Sequence, residues 1–143
     1  MGKVSDILRT KSSVIYSVSP DTFVYNALEV MFEKNVSGVV VMENNELVGI
    51  FTERDYARKV ILQGKASKET LISEIMTGDL VTVSSETTID ECMRLMTNRF
   101  IRHLPVVDNS NLIGIISIGD VVRYIIDEQK FIIQNMENYI TGT

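Results

Sequence analysis

Apolar and polar positions along this chain follow one order of patterns, run through twice. A short helical turn, Val4-Ser5-Asp6-Ile7-Leu8, precedes a strand-like run from Ile15 to Val18. From Pro20 the spacing becomes helical, placing Val24, Ala27, Leu28, Met31 and Phe32 on one face. Two strands follow, Val39 to Met42 and Leu47 to Phe51, joined by Glu43-Asn44-Asn45-Glu46. Asparagine suits such a turn because it tolerates left-handed backbone. A helix beginning near Arg54 closes the set. The order then returns as Ile72-Ser73-Glu74-Ile75-Met76, a strand from Leu80 to Val83, and a helix face of Ile89, Cys92, Met93, Met96 and Thr97. Strands Leu104 to Val107 and Leu112 to Ile116 flank Asp108-Asn109-Ser110-Asn111, and a helix starts near Gly119.

Adding 65 to each number maps Ile15–Ile61 onto Leu80–Ile126 without a gap, and 12 of those 47 positions are identical. That is an internal duplication. Each copy reads β-α-β-β-α, which predicts an α+β fold of two repeats packed as a pseudo-two-fold pair, with two related clefts at the seam. A half of about 60 residues buries little core alone, so the pair is the expected folding unit. The expected boundaries are 1–63 for the first repeat, 64–70 for a polar linker, 71–130 for the second repeat and 131–143 for a helical tail. In the tail region Val122, Ile126, Gln129, Ile133, Met136 and Ile140 step alternately by four and three, a heptad-like seam. Two readings stay open, a helix packed on its own body and a helix that self-associates.

Composition narrows the function. A net charge of −5 argues against a broad nucleic-acid surface, which needs clustered Lys and Arg. Any phosphate recognition is therefore local. No run approaches the roughly 18 apolar residues of a membrane span, and no secretory signal is visible. A single cysteine, Cys92, suits a reducing interior, so the expected location is cytoplasmic. Cys92, Met31, Met93 and Met96 read as core filling. His103, the only histidine, lacks companions at metal-ligand spacing. Neither a metal site nor a catalytic residue is expected.

The candidate chemistry lies in a stretch that occurs twice, Gly49-Ile50-Phe51-Thr52-Glu53-Arg54-Asp55 and Gly114-Ile115-Ile116-Ser117-Ile118-Gly119-Asp120. A hydroxyl residue three positions before a carboxylate is a helix-start signature, because the hydroxyl caps a free backbone N–H. The same arrangement gathers a hydroxyl, an aspartate and N–H groups at a strand-to-helix junction, where a nucleotide could be held. Ser117, His103 and Asp120 could compose a hydrolase triad, but Ser117 sits where a cap is needed and no nucleophile-elbow pattern surrounds it.

These two junctions, together with Phe100-Ile101-Arg102-His103-Leu104-Pro105-Val106-Val107-Asp108, make the chain resemble a tandem pair of CBS domains (a Bateman module) over everything but its tail. The resemblance implies a regulatory module, not an enzyme, that requires no cofactor. Its clefts would bind an adenosine-containing ligand such as AMP, ADP, ATP, NAD or S-adenosylmethionine, and it would form a homodimer. An ionised aspartate accepting both hydroxyls of a ribose diol fits that role. The implied first cleft pairs Thr52 and Asp55 with Leu80, Val81, Ile101 and Pro105 around adenine, and with Arg102 and His103 facing phosphate. The implied second cleft pairs Ser117 and Asp120 with Ile15, Tyr16, Val36, Ser37 and Val40. Arg102-His103 corresponds to Ser37-Gly38, so a phosphate-rich ligand is expected to prefer the first cleft. Signalling would run through altered conformation or dimer geometry to an unidentified regulated protein. The rival reading is an oligomerisation scaffold whose clefts bind nothing.

Overall fold

The computed structural model describes residues 2–12 and 14–142; Met1, Ser13 and Thr143, which fall within the expected first repeat and tail, lie outside the described residues. Repeat one contains β1 (Ser17–Val18), α2 (Val24–Lys34), β2 (Gly38–Glu43), β3 (Glu46–Thr52) and α3 (Glu53–Lys59), preceded in the chain by α1 (Val4–Thr10). Repeat two contains α5 (Ile89–Arg99), β4 (His103–Asp108), β5 (Asn111–Ser117) and α6 (Ile118–Thr141), preceded by α4 (Ile72–Ile75). The α+β class and the duplicated order of elements are as expected. Asn44 and Asn45 both have positive φ, as do Asn109 and Ser110, so both hairpins close through two left-handed turn residues.

The strand expected at Leu80–Val83 differs from its counterpart. Strand β1 pairs in parallel with β2, and the Val40 N–H donates to the Tyr16 carbonyl at 3.3 Å. At the position of Val40 the second repeat has Pro105, which has no N–H to donate. Only the Val83–Val106 bridge remains, held by Val83 N–H to Pro105 O at 3.0 Å and Val107 N–H to Val83 O at 2.8 Å. The first sheet has three strands and the second has two.

Each repeat is completed by the segment that precedes the other. Val4 and Ile7 of α1 are buried in one core cluster with Ile89, Cys92, Met96, Leu104, Val106 and Ile116 of repeat two. Ile72 and Ile75 of α4 are buried with Val24, Ala27, Met31, Val39, Val41 and Phe51 of repeat one. Backbone bonds fix both crossings. Val4 N–H donates to Thr87 O and Ile89 N–H to Gly2 O, while Val24 N–H donates to Thr70 O and Ile72 N–H to Thr22 O. Phe32, expected on the core face of α2, is 88% exposed. One residue past buried Met31, it is turned by about 100° out of the core stripe.

Helix α6 runs unbroken through residue 130, and Val121 is its one buried residue. Beyond Phe131 its large apolar side chains are exposed, so packing on its own body does not extend along the tail.

Two glycines mark where the exchanged segments press on the sheets. A Cβ on Gly49 would lie 2.6 Å from Met76 Sδ and 3.1 Å from the Thr77 carbonyl, whereas one on Gly114 would press chiefly on Leu8 Cδ2 at 2.8 Å. A leucine methyl can move aside and a backbone carbonyl cannot. Gly49→Ala is therefore expected to destabilise the protein by about 1–3 kcal/mol and Gly114→Ala by less, read from denaturant unfolding.

Candidate functional site

The two repeated junctions form closely similar caps. Thr52 Oγ1 accepts the Asp55 N–H at 3.2 Å, and the Asp55 carboxylate accepts the Thr52 N–H at 3.0 Å. Ser117 Oγ accepts the Asp120 N–H at 3.2 Å, and Asp120 accepts the Ser117 N–H at 2.8 Å. Each aspartate thus bonds back across the start of its helix, in the favourable field of the helix N-terminus. The Ser117 hydroxyl serves as a cap, and His103 pairs instead with Ser37, so no Ser117–His103 catalytic pair is formed.

The remaining carboxylate contacts differ between the junctions. Asp55 Oδ1 accepts the Thr77 hydroxyl at 3.2 Å and lies 3.3 Å from Lys59 Nζ. Lys59 also donates to the Ile75 carbonyl and to Thr77 Oγ1. Asp120 Oδ2 lies 2.5 Å from Lys11 Nζ, with Arg123 at 3.5 Å from the other oxygen. Lys11 donates at 2.6 Å to the carbonyl of Ile115, the counterpart of Ile50. In repeat one the Ile50 carbonyl accepts a backbone N–H, that of Thr77, at 3.0 Å. A lysine ammonium thus takes on β5 the place that a backbone bridge takes on β3.

Burial pushes the Asp120 carboxyl up, but bonds from Lys11 and the Ser117 N–H, with the lysine charge, outweigh it and hold the group below its ordinary value. Asp120 is thus an anion at neutral pH. Beside it, between α1 and α6, opens a cavity of about 580 Å³ whose wall includes Thr10, Lys11, Asp120, Arg123 and Tyr124. Thr10 and Lys11 reach repeat two only because α1 crosses over.

His103 sits at the seam of the two repeats. Its Nε2 lies 2.9 Å from Ser37 Oγ, and a Cβ on Gly38 would approach that nitrogen to 3.1 Å, so the glycine makes room for the ring. Burial and the positive charge of Lys11 lower its pKa, against the opposing pull of Asp120 and Asp55. The imidazole therefore adds no full positive charge at neutral pH. Arg102 is exposed beside it. Lys11 and Arg123 place cations on Asp120, among the residues of the implied second cleft, as well.

The apolar residues named for the clefts take two kinds of position. Val81 and Ile101 are partly buried against the repeat-two core, and Tyr16 and Val36 against that of repeat one. Ile15 and Leu80 are half-buried and Ser37 is exposed. Val40 and Pro105 are buried in β2 and β4, beneath the surface rather than on it. Lys11, Lys59, Thr77 and Arg123 were not among the residues picked out. Arg58 and Arg123 are identical in the repeat and so carried a signal; Lys11 has no local one.

Two measurements follow. The single imidazole resonance of His103 should titrate by NMR with a midpoint below the ordinary histidine value of about 6.5, and lower still in Asp120→Asn. Lys11→Met should cost about 1–2 kcal/mol at pH 7. Because the folded Asp120 pKa is depressed, that deficit should be complete above the ordinary carboxylate range and shrink as pH falls through and below about 4.

The CBS domain profile matches residues 4–61 and 72–127. The CBS domain-containing protein CBSX3, mitochondrial, of Arabidopsis thaliana is 42% identical over 149 residues, spanning 97% of this chain and 72% of the relative. A signal-transduction protein with CBS domains from Burkholderia ambifaria superposes with a TM-score of 0.86 at 46% identity, covering 89% of this chain and 96% of that one. The CBS domain pair of protein MJ0100, solved with 5-methylthioadenosine and S-adenosyl-L-methionine, superposes with a TM-score of 0.79 at 25% identity, covering 90% and 98%. Among the described residues no helix is long and apolar enough to cross a membrane.

Proposed function

The chain belongs to the CBS domain family, as a tandem pair of its domains, and we propose that it is a regulatory module that senses an adenosine-containing ligand. The observation that carries this reading is the pair of capped aspartates, Asp55 and Asp120, on equivalent junctions whose charges both reach His103 at the seam. A ribose diol offers two O–H donors, and each carboxylate can accept both. Adenosyl ligands in the MJ0100 pair support the same ligand class here.

Binding would proceed by exchange. Lys11 occupies Asp120 and Lys59 occupies Asp55, so an incoming diol takes over the carboxylate from an ammonium group. The freed lysine remains within reach and can pair with the ligand's anionic part. Thr52 and Ser117 hold the carboxylates in place throughout. Val81, Ile101, Tyr16 and Val36 offer the apolar walls for a base, and Arg102 an exposed cation at the seam. AMP, ADP, ATP, NAD and S-adenosylmethionine all carry the diol and differ in charge, which the lysines and arginines would discriminate. The output is regulatory rather than catalytic: a ligand that prefers one arrangement of the repeats selects it, and a homodimer passes the change to a regulated protein.

One observation favours the rival scaffold reading, since both carboxylates already have lysine partners. Thermal unfolding with each nucleotide separates the two. A ligand at about 100 times its Kd should add about 2.7 kcal/mol, several degrees for a domain of this size. Asp55→Ala or Asp120→Ala should abolish the shift at the occupied cleft, and 2′-deoxy analogues should shift less. No shift across the whole panel would favour the scaffold.

A further inference from the structure

Helix α6 carries an apolar face that its own chain leaves open. Val122, Ile126, Ile133, Met136 and Ile140 are 46%, 47%, 53%, 63% and 81% exposed. With Gln129 they occupy alternating four- and three-residue steps, the core positions of a heptad. We propose that this face pairs with the same face of a second copy, antiparallel, in a two-helix seam centred on Phe131.

The register follows from the residues. When antiparallel helices are paired so that facing numbers sum to 262, Val122 meets the partner's Ile140, Ile126 meets the partner's Met136, and Gln129 meets the partner's Ile133. All six core positions are then filled by one self-complementary pattern, as an isologous two-fold interface requires. On one flank Arg123 comes beside the partner's Glu137 at each end of the seam, two attractive pairs against one like-charge pair, Lys130 with the partner's Lys130, at its centre. Arg123 can reach outward, since its side chain is 72% exposed and its contact with Asp120, at 3.5 Å, is long. On the other flank Ile132 meets its own counterpart, and Tyr139, 90% exposed, comes beside the partner's Ile125.

A parallel pairing lacks these features. It would set Gln129 against the partner's Gln129 and Arg123 beside no carboxylate. It would also bring both globular bodies to one end, whereas the antiparallel register places them at opposite ends of the seam. Two antiparallel helix dipoles attract rather than repel. Val122 to Ile140 spans about 27 Å at 1.5 Å per residue, long enough for a cooperative seam.

This inference deepens the self-association in the proposed function and is independent of nucleotide, so its test uses none. Full-length Ile126→Cys and Met136→Cys chains are prepared separately, mixed and oxidised; the native Cys92 is buried. The mixture should yield a disulfide-linked dimer of one chain of each kind. Each chain alone should yield none, because identical cysteines would lie about 15 Å apart, beyond disulfide reach. Ile133→Asp, at an exposed position, should halve the mass measured by light scattering while leaving the fold's circular dichroism intact. Disulfides within each single-variant pool would overturn the register in favour of a parallel one. An unlinked mixture together with an unchanged mass in Ile133→Asp would overturn the pairing altogether and leave the face to a different partner.

Discussion

The structure depends on an exchange of segments between its two halves. Val4 and Ile7 lie in the core of repeat two, and Ile72 and Ile75 in the core of repeat one, each crossing pinned by backbone hydrogen bonds. Four fully or nearly fully buried aliphatic side chains contribute about 1.5–3 kcal/mol each, a large share of the few kcal/mol by which a small domain is stable. Neither repeat can keep its own core while the other moves away. The two halves are therefore coupled through both cores. For the sensing proposed above such coupling matters, because loosely joined halves would dissipate a signal carried by their arrangement.

The same exchange breaks the symmetry of the two sites. It brings a backbone bridge at Thr77 to β3 and a lysine side chain at Lys11 to β5. An ammonium group can leave a carbonyl and a carboxylate far more readily than a strand can be pulled from a sheet. The Ile115 carbonyl is therefore the more easily released of the two, although Lys11 holds Asp120 more closely, at 2.5 Å, than Lys59 holds Asp55, at 3.3 Å. Duplication supplied two equal junctions, and what crosses over each one made them different.

Much of this was legible in the residues. The 65-residue offset, the turns at Asn44-Asn45 and Asn109-Ser110 and both Thr/Ser-to-Asp caps follow from local chemistry, and local chemistry is visible in a line of text. The missing strand at Leu80–Val83 was also written there, in Pro105, but only pairing partners make a missing N–H matter. Lys11 could not be found that way, since its role arises from a crossing of more than 100 residues in sequence. His103 was expected to face phosphate by residue type; burial and the charge of Lys11 lower its pKa, and neither is visible in a line of text. Phe32 looked like core by period and lies just outside the buried stripe. Lys11 and His103 were missed for one reason: the surroundings of each depend on what a distant segment places next to it.

If the seam between Asp55 and Asp120 holds a nucleotide, as proposed, His103 must sense it. The most direct measurement follows the His103 imidazole resonance by NMR during titration with AMP, ATP, NAD and S-adenosylmethionine at fixed pH. The chain has one histidine, lying in the field of both aspartates and of Lys11, so displacement of a lysine from either carboxylate must change its surroundings. At least one ligand should produce a saturable shift, lost when the matching aspartate is replaced by alanine. A resonance that stays fixed through the whole series would contradict that proposal.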